Sequence, residues 1–289
     1  GTRQIGRRLF PGGIRMLKKL IKQEWKSFFP APTITMIILA VVTLIMMSTF
    51  MTSFWEQDSN IFVDLFASLT VLTYIICLAA LSLCVTLCTV IRFYKNFFTD
   101  EGYLMFTLPV KTSDLILSKT LVAVIWRLIS FLFIILSVFG IASVGVSYLS
   151  DTSIVQFFKE FTDMFGELFS EMQTSMSIPL PLLFFWLLLI GISTCVFDIL
   201  FFYACICLGQ LWSRHKIGGA VIAYFALRFI FRFFRQIFAI PFSDTLYYNY
   251  DLENISAGTW ILGMFITLLI MCGLCVALYC ICHFIMNRK

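Results

Sequence analysis

Charge is what this sequence has least of. Only 13% of its 289 residues are Asp, Glu, Lys or Arg, and 60% are hydrophobic; an ordinary soluble domain carries about 25% charged and about 45 to 50% apolar residues. A large soluble catalytic domain is thereby excluded. The net charge of +5 comes from a few short segments, not from a basic surface, so nucleic acid is not an expected partner. Histidine occurs only as His215 and His283, and there is no H-E-x-x-H, no G-x-S-x-G and no G-x-x-x-x-G-K-[ST]. The chain lacks a hydrolase signature and a phosphate cradle, so it is not expected to be an enzyme or to hydrolyse ATP by itself. All ten cysteines fall within apolar runs, where no oxidising loop can join them, and no disulfide framework is expected. Cys84 with Cys88, or Cys272 with Cys275, can face one another along a helix, yet a small apolar packing role suits them equally, and no metal site is assigned.

Long apolar runs are what the sequence has in abundance. A bilayer core of about 30 Å takes about 20 helical residues, and six runs qualify, near Thr33 to Phe54, Ala67 to Ile91, Leu115 to Tyr148, Leu182 to Leu211, Ile217 to Ile240 and Trp260 to Met286. The expected fold is all-α: a polytopic membrane protein whose single six-helix transmembrane domain occupies residues 31–289. Short alternating segments of the kind a barrel needs are missing. The third and fourth runs exceed one crossing and should tilt, kink or project.

Basic residues sort to one side. Eight precede Thr33, followed by Arg92, Lys95, Lys111 and Lys119, then Arg214 and Lys216, then Arg288 and Lys289; the opposite connections hold Lys159 against eleven acids. Cytoplasmic loops collect Lys and Arg, so both termini are expected in the cytoplasm of a multi-pass plasma-membrane protein. Residues 1–15 read as a tag or upstream extension. Over residues 16–30, Leu17, Leu20, Ile21, Trp25 and Phe28 recur at helical spacing while Lys18, Lys19, Lys22 and Lys26 take other faces. That describes a basic amphipathic helix on the inner leaflet, as a topology anchor or a partner contact. On the acidic side, the segment 151–178 sets Phe157, Phe161, Phe165 and Leu168 against Glu160, Asp163, Glu167 and Glu171, an amphipathic helix that either covers the outer mouth or lies at the interface.

Charges inside the apolar runs are few and therefore informative. Arg228, Arg232 and Arg235 are spaced by four and three residues, which confines them to an arc of roughly 60°. A central arginine costs about 2.5 to 3.5 kcal/mol on the insertion scale against about 0.3 to 0.6 returned per Leu, Ile, Val or Phe, so that face should meet protein or water. Asp198 and Arg228 reach similar depth on neighbouring antiparallel helices, with Arg127 a competing partner for Asp198. Two roles stay open for these five residues: mutual neutralisation that locks the bundle, or the lining of a path for an anionic or amphipathic cargo.

The connection between the second and third runs is the most unusual segment. Thr99 can cap a short helix with Asp100 and Glu101 in its first turn; Tyr103, Leu104, Phe106 and Leu108 then place bulky apolar groups on a stretch too short for a core, and Pro109 stops it. Such a peg either docks into another protein's groove or folds back on the membrane surface.

Two stretches, DEGYLMFTLPVKTSDLILSK from Asp100 to Lys119 and CLGQLWSRHKIGGAVIAYF from Cys207 to Phe225, together with the amphipathic MLKKLIKQEWKS, resemble the integral-membrane subunits of type-2 ATP-binding cassette (ABC) transporters, particularly the six-span permeases of Firmicutes. The resemblance implies a bacterial permease that pairs with a second permease chain, identical or not, and seats Asp100, Glu101, Gly102, Tyr103, Leu104, Phe106, Leu108 and Pro109 as a coupling helix in a cytoplasmic ABC ATPase. ATP and Mg would be bound by that ATPase, with no cofactor in this chain, and the cargo would be exported: a peptide, drug, lipid or glycan. The arginine triplet is not part of the family pattern. Competing readings from other classes are a partner-independent channel or secondary carrier, and a membrane sensor or immunity protein that binds a peptide without transport.

Overall fold

A computed structural model describes residues 13–50, 61–99, 112–149, 153–176, 179–212, 216–248 and 257–287. They form eight helices and, among the described residues, no strand: α1 (Gly13–Phe28), α2 (Pro30–Phe50), α3 (Ile61–Phe98), α4 (Thr112–Leu149), α5 (Ile154–Met176), α6 (Leu180–Gly209), α7 (Lys216–Tyr248) and α8 (Ala257–Asn287). Five contain stretches long and apolar enough to cross a membrane: Pro30–Phe50, Ser68–Phe98, Thr112–Tyr148, Leu180–Gly209 and Trp260–Asn287. This is an α-helical membrane protein. The remaining apolar run, expected from Ile217 to Ile240, lies within α7, a continuous 33-residue helix that also carries Arg228, Arg232 and Arg235. The peg from Asp100 to Pro109 lies outside the described residues, as do residues 1–12.

The helices cluster in two compact units, the first holding α1 to α3, α4 from Asp114 and α5 up to Phe165, the second holding Thr112 and Ser113 at the start of α4, α5 from Gly166, and α6, α7 and α8. In the first unit α2 buries Pro32, Met36, Leu39, Thr43, Met46 and Thr49, a seam with steps of three and four residues that places one helix face inward. Leu39 joins Phe28, Tyr74, Leu81, Val85, Val122 and Trp126 in the core, drawn from α1 to α4. The other faces of α2 to α4 are exposed leucine, isoleucine and valine, as a helix facing lipid requires. Three hydroxyls pair inside this core: Thr43 Oγ1 and Ser137 Oγ at 2.7 Å, and Tyr74 Oη and Ser137 Oγ at 2.9 Å. Polar atoms with no water near them must find such partners.

Two boundaries differ from the sequence expectation. The second apolar run does not end at Ile91; α3 continues to Phe98, because Phe93 and Phe97 are buried and keep one face of the extra two turns inside. The other boundary is at the prolines. Pro30 opens α2, where its missing N–H costs nothing, and the break from α1 is the single residue Phe29, whose carbonyl accepts from Thr33 N at 3.3 Å and Thr33 Oγ1 at 2.6 Å. The acidic amphipathic helix appears as α5. Ser153 Oγ accepts from Gln156 N at 3.2 Å and caps it, and Phe157, Phe158 and Phe161 gather on Phe139 of α4 with ring centroids 5.8, 5.4 and 4.6 Å away. Its acids are exposed.

In the second unit α6 packs on both α7 and α8. Burial concentrates at the C-terminal end of α6, where Ile199 to Phe201, Tyr203 to Cys207 and Gly209 are almost wholly enclosed. Phe201 meets Tyr224 at 5.6 Å and Phe231 at 5.8 Å, and Phe197 meets Phe231 at 5.4 Å, so aromatic rings set the register of α6 on α7.

Candidate functional site

The most highly organised polar cluster of the first unit stands where α1, α3 and α4 meet. Glu24 lies on the apolar face of α1, four residues from Leu20 and four from Phe28, and all three are buried. Its carboxylate takes Lys119 Nζ on Oε1, Arg92 Nη2 on Oε2 at 3.4 Å, and a hydrogen bond from Asn96 Nδ2 to Oε1 at 3.3 Å. Arg92 Nη1 donates in addition to the Glu24 backbone carbonyl at 3.3 Å. The side chains of Lys119 and Glu24 are only 4% and 10% exposed, that of Arg92 19%. Two cations around one carboxylate leave a surplus positive charge, and aromatic faces offset it: Lys119 Nζ sits 5.3 Å from the Phe97 centroid and Arg92 Cζ 5.5 Å from that of Phe28.

Next to the ion cluster, Trp126 of α4 receives the end of α1. Its ring centroid is 5.2 Å from Trp25, 5.9 Å from Phe28 and 5.8 Å from Phe29. The apolar face of α1 is therefore filled by the protein's own helices, while Lys18, Lys19, Lys22 and Lys26 are exposed on the other side. Trp126 is buried, and its Nε1 has no hydrogen-bond partner among the described residues. The ring thus contributes through packing alone. Trp126→Phe leaves a cavity where the second ring of the indole was and is expected to cost about 1 to 3 kcal/mol, the transfer and cavity terms of a large-to-small core change; a melting midpoint equal to wild type would show that the ring is not packed as described.

The cluster ties three helices together. Arg92 and Asn96 lie in the last turns of α3, and Lys119 lies in the second turn of α4. Glu24 thus fastens α1 to the helices at both ends of the connection that contains Asp100, Glu101, Gly102, Tyr103, Leu104, Phe106, Leu108 and Pro109. In the sequence Arg92 and Lys119 read only as topology charges, and Glu24 has no assigned role. The signal was present: an acid at the centre of a stripe made otherwise of Leu17, Leu20, Ile21, Trp25 and Phe28.

The intramembrane charges fall in both units. Arg127, half-buried, belongs to the first; Asp198, half-buried, and Arg228 and Arg232, both exposed, belong to the second. The ring contacts between residues 197–201 and 224–231 put Asp198 and Arg228 at one level of the α6–α7 pair, as their distances from the intervening turn predicted. Arg235 lies in α7 too, and its side chain is outside the described set. Cys84 Sγ and Cys88 Sγ stand 4.0 Å apart, and among the described residues no three His, Cys, Asp or Glu side chains converge. Compared with protein-family models, curated proteins and solved structures, the chain matches none.

Proposed function

We propose that this chain is the membrane permease half of an ATP-driven exporter of the type-2 ABC class. In this reading six helices cross the plasma membrane of a bacterium, α7 being the sixth, with both termini in the cytoplasm and a second permease chain completing the path. The Asp100 to Pro109 peg seats in a separate ATPase that binds ATP and Mg. The observation that carries the reading is the Glu24 fastening. A segment that transmits force needs a stiff base, and here buried ion pairs tie α1 to the ends of α3 and α4 on either side of the peg. Motion of the peg would then move three helices together, two of which continue as membrane spans. The resemblance of the peg and of the α6–α7 connection to the permease family gives the same reading independent support.

The test is assembly and coupling. The chain is expected to co-purify with a soluble ATPase, and Tyr103→Glu or Phe106→Glu is expected to abolish cargo-stimulated ATP hydrolysis while leaving the thermal stability of the permease unchanged. Unaltered coupling in both variants counts against the proposal. Solute or ion movement by the purified chain alone in liposomes would replace it with a partner-independent channel or carrier, and peptide binding without any ATPase would favour a sensor.

A further inference from the structure

We propose that the Arg228–Arg232 face of α7 is a binding site for an anionic amphiphile of the phospholipid type, whose acidic headgroup lies on the two guanidinium groups and whose hydrocarbon lies along the neighbouring phenylalanines. Arg228 and Arg232 stand one turn apart, about 6 Å along the axis. Both are exposed, and among the described residues neither makes an ion pair or hydrogen bond. They are not at the edge of the apolar layer. The ring contacts that fix the register put Arg228 level with Asp198, eleven residues inside the end of α6, or about 16 Å, and α6 is one of the five helices that meet the criteria for a span. At that depth an uncovered guanidinium is costly and calls for an anion, and the long arginine stems reach toward the headgroup level, where one is met.

The residues beside the pair say what kind. Phe225, Phe229 and Phe233 recur every fourth residue and are 67%, 72% and 58% exposed, a ridge along the flank of the arginine face. At about 100° per residue Phe225 lies only about 20° from Arg232 around the helix. A water-lined surface would not carry three exposed phenylalanines. Nor does the like face of a second copy suit it, since a two-fold axis would bring further arginines against these. One negative headgroup joined to one apolar chain satisfies both halves of the face.

The site stands whether or not the chain is a permease, and its test needs no ATPase. The full chain is reconstituted in phosphatidylcholine nanodiscs with a trace of photoactivatable phosphatidylglycerol or photoactivatable phosphatidylcholine, and labelled peptides are mapped. Labelling of the peptide containing Phe225 to Phe233 is expected to be about tenfold higher with the anionic probe, a size in keeping with two basic residues near a lipid headgroup. Arg228→Gln with Arg232→Gln should abolish the preference, Arg228→Lys with Arg232→Lys should keep most of it, and Lys18→Gln with Lys19→Gln should leave it intact. Equal labelling by the two probes, a preference that survives the double Gln variant, or Phe229→Cys cross-linking to a second copy that shuts out the label would each overturn the site.

Discussion

Replacing Glu24 with alanine is expected to destabilise the protein by about 3 to 5 kcal/mol, the range seen when one partner of a buried ion pair is removed, and to release α1 from the bundle. Most of that loss falls on Lys119. Its side chain is 4% exposed, so without the carboxylate an ammonium is left desolvated beside the Phe97 ring. Arg92, 19% exposed, can turn toward solvent, and its share is correspondingly smaller. Glu24→Gln keeps an acceptor for Lys119 and Asn96 while removing the charge, and should fall between wild type and alanine. The decisive variant is double. Glu24→Leu with Lys119→Met replaces the pair by apolar groups of similar size, an exchange that is often neutral or stabilising, so it should recover most of the stability lost in Glu24→Ala. The check is the melting midpoint in one detergent, together with the rate at which trypsin cuts at the exposed Lys18, Lys19, Lys22 and Lys26. Fast cleavage should accompany the low midpoint of Glu24→Ala and disappear in the double variant. If Glu24→Ala melts with wild type, α1 is held by Trp126 and its neighbours, and the stiff base proposed for the peg is lost with it.

The helices themselves were legible because a bilayer selects for length and apolarity, which survive in composition. Which face of each helix points inward was not. In water a helix advertises its buried side by the contrast between apolar and polar residues, but lipid is as apolar as a protein core, so α4, α6 and α8 are hydrophobic all round. What marks the inward side is the scattered hydroxyl or small residue: Thr43, Ser118, Ser130, Ser137 and Ser143 are all buried. The exceptions are α1 and α5, each with a charged face: the periodicity of Leu17, Leu20, Ile21, Trp25 and Phe28 marked the inward side of α1, and in α5 it did so for Phe157 and Phe161 but not for Phe165 and Leu168, which are exposed. The same contrast concealed Glu24, since an acid within five apolar residues looked like noise in a basic helix when it was the residue the helix is fastened by. Arg228 and Arg232 were legible as one face from spacing alone. The level of Arg228 beside Asp198 follows from counting outward from the turn, because both helices are continuous there.

Substitutions at Gly209 are expected to be the most damaging single changes in the second unit. The reason is distance, not backbone conformation: Gly209 lies in the last turn of α6 and outside the left-handed region. A Cβ built on Gly209 would stand 2.4 Å from the backbone N of Ala220, 2.6 Å from its Cα and 2.7 Å from its Cβ. The end of α6 thus touches the start of α7 backbone to backbone, in the manner of small-residue contacts between membrane helices. No side chain there can swing away, so the hairpin itself has to part. Gly209→Val should cost about 3 kcal/mol or more and Gly209→Ala somewhat less, at or above the upper end of ordinary overpacking. Gly219 is less strict: its Cβ would meet Gly209 O at 2.9 Å and Trp212 Cβ at 3.0 Å, and Gly219→Ala should cost about half as much as Gly209→Ala, within the same overpacking range. At Gly140 the obstacle at 2.4 Å is the terminal methyl of Met47, which can rotate, so alanine there should be close to neutral. Gly191 and Gly273 meet nothing within 4 Å, and alanine should raise stability by up to about 1 kcal/mol through helix propensity. Melting midpoints of the five alanine variants in one detergent rank them directly. Should Gly209→Ala melt alongside Gly273→Ala, the two backbones do not touch, and the register of α7 on α6 would not be set at this contact.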